Sequence, residues 1–404
     1  MLRLFNTSTK KIETFHSVNR NVVTIFTCGP SIYQRPHIGN FRTFLFEDVL
    51  VRYLRYSGCE VKRGMTVTDI EDKAIAEALK RKVSLRNLTD KNLESFIGEM
   101  KLLRMAIPDY LPRSSDYVNA AAGIIEQLLS AKVAYWHKGN VYFDPLKFPG
   151  FGKLFGLDMR RWPSQKRRFH KDTYPGIQWN LGDFILWHGY KEGDKNFWET
   201  RIGKGRPSWN VQDPSMVSSY FNETLSFYCG GIDNLYRHHD YSLAILESLK
   251  PYPMARFWLH CHHLSVNGRK MSKSKGNIYY TDSLTKKRYS ISEVRFFLIC
   301  CHYRKKLNYS DKAMLTAVGK FRAFRKTMDK IRKKARKTAS CGQVARTLKH
   351  VFTEKMDNDL DVQGAFDELN DIMSNMNVSG VSPGEAYLVI EALKEIDEVF
   401  KVFF

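Results

Sequence analysis

Two short stretches carry residue types suited to phosphate chemistry. The first begins at Cys28 and ends His37-Ile38-Gly39-Asn40. A β-rich apolar run, residues 22–26, precedes it. Residues 41–56 follow, with Phe41, Phe44, Leu45, Val49, Leu50 and Tyr53 at helical spacing. Strand, Gly/Pro turn and helix predict the first βα unit of a parallel sheet. His37, Gly39 and Asn40 are expected where the turn meets the helix. Free N–H groups and the positive end of the helix dipole suit a polyphosphate there, and Gly39 has no Cβ to hold a ligand off. The second stretch, residues 268–277, sets Lys270, Lys273 and Lys275 among Ser272 and Ser274 on a Gly-flanked loop. Point charges on flexible stems make a phosphate clamp. Taken singly, the first is compatible with an ordinary turn and the second with a solvated basic loop.

As a pair, in this order and this far apart, they resemble the HIGH-type and KMSKS signatures of class I aminoacyl-tRNA synthetases, the second at all five positions. Further stretches resemble the cysteinyl-tRNA synthetase family in that family's order. They include Cys28-Gly29-Pro30, residues 66–73 (TVTDIEDK), 139–144 (GNVYFD), 205–209 (GRPSW), Gly230-Gly231-Ile232-Asp233 before His238-His239, and 356–360 (MDNDL). The resemblance implies a Rossmann-like parallel α/β nucleotide-binding domain, split by an insertion and followed by an all-α domain. It implies an amino-acid carboxylate attacking the α-phosphate of ATP, then transfer of the acyl group to an acceptor hydroxyl. Positioning and charge neutralisation dominate such chemistry. By resemblance, His37 and Asn40 contact phosphate or ribose, and Gly39, Met271, Ser272 and Ser274 help hold the nucleotide. Lys270 and Lys273 stabilise the departing pyrophosphate, and Mg²⁺ arrives with the ATP. Asp233 faces the amino-acid ammonium, with Gly29, Thr68 and Trp209 lining the same pocket.

The family selects cysteine through zinc held by two Cys, one His and one Glu. Zinc deprotonates a thiol and prefers sulfur to a hydroxyl. Carried over, the first Cys is Cys28 and the His is His238, but the second Cys falls on Asp213 and the Glu on Ser242. Three readings follow. Cys28, Asp213 and His238 hold zinc with an open position; His239, Asp240 or Cys229 completes the set; or no zinc binds, and Asp213 accepts a polar or cationic substrate side chain, so that the amino acid is not cysteine.

The elements that must position these groups divide the 404 residues. Expected are a first catalytic half at 1–112, an insertion at 113–204, a second half at 205–283 and a helical tRNA-contacting part at 284–404. Residues 64–69 read as a strand, 74–82 and 88–105 as helices. In the insertion, 118–133 read as an amphipathic helix and 135–143 as a hairpin turning at Lys138-Gly139-Asn140. Residues 160–171 mix bases with aromatics, a composition that can stack on single-stranded nucleic acid. Residues 320–337 hold ten basic residues and one acid, Asp329, with Phe321, Phe324, Met328 and Ile331 at helical spacing. A one-signed face repels itself unless a polyanion covers it, which predicts RNA. So does the net charge of +22.

The seven cysteines form no CxxC pair, and no signal peptide or apolar span is visible, so a cytoplasmic location and no membrane partner are expected. No GxGxxG supports a dinucleotide. Many members of the family carry a further anticodon-reading C-terminal domain, and the sequence is expected to lack it. Two rivals to tRNA acylation stay open: a ligase passing the activated amino acid to a small amine, and a non-catalytic RNA-binding paralogue.

Overall fold

The computed structural model describes residues 1–16, 22–161, 183–271 and 276–404. The catalytic part starts with a two-stranded ribbon, β1 (Arg3–Asn6) and β2 (Lys11–Thr14). Then come β3 (Val22–Thr27), α1 (Ile38–Tyr56), β4 (Glu60–Met65), α2 (Asp72–Arg81) and α3 (Leu85–Leu102). The insertion supplies α4 (Val118–Ser130), β5 (Ala134–His137), β6 (Asn140–Phe143), β7 (Phe184–Gly189), β8 (Trp198–Thr200) and β9 (Gly203–Pro207). The chain returns through α5 (Trp209–Tyr220), β10 (Leu225–Gly231), α6 (Tyr241–Glu247), β11 (Ala255–Cys261), β12 (Leu264–Val266) and β13 (Arg269–Lys270). It ends with α7 (Thr281–Thr285), α8 (Ile291–Ile299), β14 (Leu307–Tyr309), α9 (Asp311–Lys334), α10 (Gln343–Asp357), α11 (Val362–Asn375) and α12 (Pro383–Phe400).

The central sheet is parallel, in the order β11-β10-β3-β4. Its inner strands read as apolar runs because both faces are covered. The two-residue period sends Ile25, Phe227 and Phe257 to the side packed by α1 and the C-terminal helices. Phe26, Tyr228 and Trp258 go to the side packed by the insertion. Strands β3 and β10 come from the two halves and lie side by side, so their carboxyl ends meet where the sheet reverses its winding. Ligands of open α/β sheets bind at such a point.

Several sequence expectations shift. Strand β4 begins at Glu60 and stops at Met65. Residues 66–69 run on as a loop tied to its neighbours, with the Ile32 N–H donating to the Thr68 carbonyl at 3.0 Å and the Thr68 N–H to that of Pro30 at 3.1 Å. Helix α1 starts at Ile38, three residues early, so Gly39 and Asn40 lie in its first turn. The hairpin turns at Lys138 and Gly139, both at positive φ (47° and 77°), as a two-residue loop requires. It belongs to a five-stranded antiparallel sheet, β5-β6-β7-β9-β8, whose other strands carry weak alternation. The basic helix ends at Lys334, not 337, because the Arg336 N–H turns away to the carbonyl of Pro383 at 3.0 Å. Its apolar stripe is buried as expected: Phe321, Phe324, Met328 and Ile331 are at most 1% exposed. Of the 160–171 stretch, residues 162–171 lie outside the described residues.

Candidate active site

The carboxyl ends of β3 and β10, the start of α1 and the β12–β13 hairpin enclose a cavity of about 460 Å³. His37 is the N-cap of α1: its Nδ1 accepts the Gly39 N–H at 3.2 Å, and Asn40 Oδ1 accepts the His37 N–H at 3.0 Å. An accepting Nδ1 places the imidazole proton on Nε2. Burial lowers the His37 pKa against a smaller opposing pull from Asp233, so the ring is a neutral N–H donor on the cavity wall. Gly39 lies against the lysine loop: a Cβ on it would come within 2.4 Å of Met271 Cε, at the tip of that side chain. The first turn of α1 therefore closes against the lysine loop. Lys270 is held on this wall by pairing of β13 with β12, Ser265 opposite Lys270. Ser272, Lys273 and Ser274 lie outside the described residues. Asp233 lines the same cavity, half exposed, 3.9 Å from His263 Nδ1.

A second cavity of about 250 Å³ shares Cys28 and Gly29 with the first and is walled by Thr68, Trp209 and His238. Gly29 makes the junction possible. Its N–H donates to Thr66 Oγ1 at 3.0 Å, and a Cβ would lie 1.6 Å from the Thr66 carbonyl oxygen. Trp209 stacks on the His238 ring, centroids 4.8 Å apart at 10°.

Beneath the junction is a fully buried polar cluster. Asp213 Oδ2 accepts from Tyr228 Oη (2.8 Å) and Cys28 Sγ (3.3 Å), and His238 Nε2 stands 2.9 Å away. Burial pushes the Asp213 carboxyl up, but the adjacent His238 ring and these hydrogen bonds outweigh it and hold it below the ordinary carboxylate value. Burial first, then Asp213, pushes the Cys28 thiol well up. His239 Nε2 is 2.9 Å from Cys28 Sγ.

Of the three candidates to complete a metal set, only His239 reaches the cluster. The Asp240 carboxylate accepts the N–H groups of Leu154 (3.0 Å) and Phe155 (3.1 Å) instead. Cys229 packs on the opposite face of the sheet. Ser242 is buried with an unpartnered Oγ, and no longer side chain stands in its place. The donor atoms of Cys28, His238 and His239 all lie within 4.8 Å of one another. One thiol and two imidazoles, buried and convergent, with the Asp213 carboxylate beside Cys28 and His238, are donors that fit zinc.

Sequence reasoning missed Lys306, His263 and Asn234 on the first cavity and Tyr228 under the second. None belongs to a spaced motif. They reach the site from loop and strand ends that only the sheet order brings together.

Residues 14–319 match the family of tRNA synthetases class I (C) catalytic domains. The chain is similar to the cysteine–tRNA ligase of Chlamydia abortus, 34% identical over 415 residues, covering 99% of this chain and 86% of that one. It is equally similar to the cysteine–tRNA ligase of Solibacter usitatus, 34% identical over 408 residues, covering 99% and 87%. The chain belongs to the cysteinyl-tRNA synthetase family. As a class I aminoacyl-tRNA synthetase it is a ligase that activates an amino acid with ATP and transfers it to tRNA. Its fold is shared with the solved methionyl-tRNA synthetase of Mycobacterium tuberculosis in complex with methionyl-adenylate, at TM-score 0.68 and 14% identity over 94% of this chain and 92% of that one. Among the enzyme's described residues, no helix is long and apolar enough to cross a membrane.

Proposed function

We propose that the enzyme is a cysteine–tRNA ligase that reads the substrate thiol at the Cys28–Asp213–His238 cluster. The observation that carries this is that the converging donors of Cys28, His238 and His239, with Asp213 hydrogen-bonded to Cys28, lie at the Gly29 junction where the two cavities meet. ATP lies in the first cavity, between the neutral His37 N–H, Asn40, Gly39 and Met271 on one side and Lys270 on the other. Lys273, Ser272 and Ser274 join it from the lysine loop, and Mg²⁺ enters with the nucleotide. Asp233 takes the ammonium, which needs a partner once desolvated. The amino acid extends past Gly29 between Thr68 and Trp209. Cys28, Asp213 and His238 would hold zinc there, and zinc, when bound, supplies a preference for thiolate over hydroxyl.

The five-stranded sheet, spanning Ala134 to Pro207, supports an insertion near 113–204 within a catalytic domain of 1–112 and 205–283, with β9 running three residues past the expected boundary. The long helices from α9 onward, beginning at Asp311, support an all-α part within the expected 284–404. The tRNA backbone runs along α9, where Lys326, Lys330 and Lys333 are exposed and no acidic partner meets them among the described residues. Seven free cysteines support a cytoplasmic, reducing compartment.

Amino-acid-dependent ATP–pyrophosphate exchange across all amino acids, in excess Mg²⁺ with and without a zinc-selective chelator, tests the reading. Strict cysteine dependence that chelator abolishes is expected. One observation favours a second reading without zinc: the Asp213 hydrogen bonds already close the cluster. Equal exchange with cysteine and another amino acid, unaffected by chelator, would establish that reading instead.

A further inference from the structure

The family's zinc set ends in a Glu, and this chain has Ser242 at that position, a neutral hydroxyl with no protein partner. Two neighbouring imidazoles face the cluster because the segment Leu235–Asp240 is π-helical. It winds less per residue than an α-helix, so adjacent side chains diverge less. The two rings are supported differently. A histidine that ligates a metal through one nitrogen donates its other N–H to an outer partner, which fixes its orientation. His238 offers Nε2 to the cluster, and its Nδ1 is buried without a partner. His239 offers Nε2 to Cys28 at 2.9 Å, and its Nδ1 is 2.8 Å from His260 Nε2. His260 Nδ1 in turn is 2.8 Å from Thr7 Oγ1. With a metal in place of the Cys28 thiol proton, His239 Nδ1–H donates to His260 and His260 Nδ1–H donates to Thr7. Every ring hydrogen in that line then has an acceptor. His260 is 4% exposed and comes from β11, and Thr7 follows β1, so the line is anchored in elements remote from the π segment.

We infer that His239 is a protein ligand of the zinc site beside Cys28 and His238, replacing the donor that Ser242 cannot supply, with His260 and Thr7 as its outer support. This rests on the reading that the cluster takes zinc. His260 and Thr7 are positioning residues: they touch neither metal nor substrate.

X-ray absorption on the zinc-loaded protein counts the donors without any substitution. Two imidazoles and one protein sulfur are expected; a single imidazole overturns the inference while leaving the zinc reading standing. Zinc affinity measured by competition with a chromophoric chelator gives the second readout. His239→Gln is expected to bind zinc at least tenfold more weakly, and His260→Gln roughly 10–100-fold more weakly, as loss of an outer partner does. Ser242→Ala is expected to match the parent. Far-UV circular dichroism verifies that each apo variant is folded, and should His239→Gln fail to fold, the donor count and His260→Gln decide. Parent-like affinity in a folded His239→Gln or His260→Gln overturns the assignment, as does a loss confined to Ser242→Ala. A parent protein that takes up no zinc overturns both this inference and the reading beneath it.

Discussion

At the scale of single residues, the site works by close approach and by charge placed where it is not already engaged. Lys270 lines the same cavity as the α1 N-terminus, and the proposed role of its ammonium is to meet charge that grows as pyrophosphate departs. Lys270→Ala is expected to cut pyrophosphate exchange by at least tenfold, about 1.4 kcal/mol of transition-state stabilisation. ATP affinity, measured by calorimetry, should fall by a smaller factor. An equal loss in both would place Lys270 in ground-state binding instead. Gly29 is the second test. A Cβ there meets a backbone oxygen at 1.6 Å, which no rotamer change can relieve. Gly29→Ala must move the loop after β4 or the end of β3, and either displaces Cys28. We expect a loss of about 1–3 kcal/mol in stability, typical of overpacking, with exchange lost by more than tenfold. A variant with parental melting temperature and exchange would show that the junction is not tight.

At the scale of elements, α1 is the piece on which the catalytic and helical parts are both built. Its N-terminus borders the first cavity, and its buried Asp48 receives Arg295 of α8 at 2.6 Å. The same guanidinium donates to the carbonyls of Phe400 (2.6 Å) and Leu103 (2.7 Å), so one side chain joins α8, α12, α3 and α1. Arg295→Met leaves a buried carboxylate and two carbonyls without that donor. Breaking one side of a buried pair costs about 3–5 kcal/mol, readable by denaturant unfolding. The pH dependence follows from Asp48. Burial pushes its carboxyl up, but Arg295 and Arg52 outweigh burial and hold it below the usual range. A lowered native pKa contributes stability that is present above about pH 3.9, the unfolded value, and is lost as pH falls through the native one. The deficit of Arg295→Met is therefore largest at neutral pH and shrinks on acidification. A deficit independent of pH would mean that lost packing, not charge, sets it.

At the scale of the whole molecule, the net charge is +22, and residues 320–337 contribute ten bases against one acid. Five of the ten bases between 320 and 337 are engaged locally: Lys320 with Asp367, Arg322 with Glu293, Arg332 with Asp329, Lys334 with the carbonyls of Val378 and Ser379, and Arg336 with nearby main-chain oxygens. Lys326, Lys330 and Lys333 are exposed and are the ones expected to track phosphates. Reversing all three to Glu should weaken tRNA binding and flatten its log–log salt dependence by about one unit for each phosphate no longer neutralised. Pyrophosphate exchange, run without tRNA, should match the parent. A parental salt slope in the triple variant would move the RNA path elsewhere.

The amino-acid sequence by itself determined what is local. The Lys138-Gly139 turn and the apolar stripe of α9 each depend on residues a few positions apart, so spacing alone reveals them, whereas the His37 N-cap, equally local, was missed because the helix was expected to start at Phe41. The lysine loop and the family motifs are equally local, and they carried the class of chemistry. Tertiary structure decided what is non-local. That β3 lies beside β10, with about 200 residues between them, follows from burying both sheet faces, and it alone brings Lys306, His263 and Tyr228 to the site. That His239 joins His238 at the cluster could not be read from two adjacent letters. It depends on how a π-helical segment is rotated against the sheet and on His260 and Thr7, from distant elements, standing behind the second ring. The identity at Asp213 was legible, but its meaning was not, because a buried carboxylate is defined by the donors around it, and those arrive only when the chain is folded.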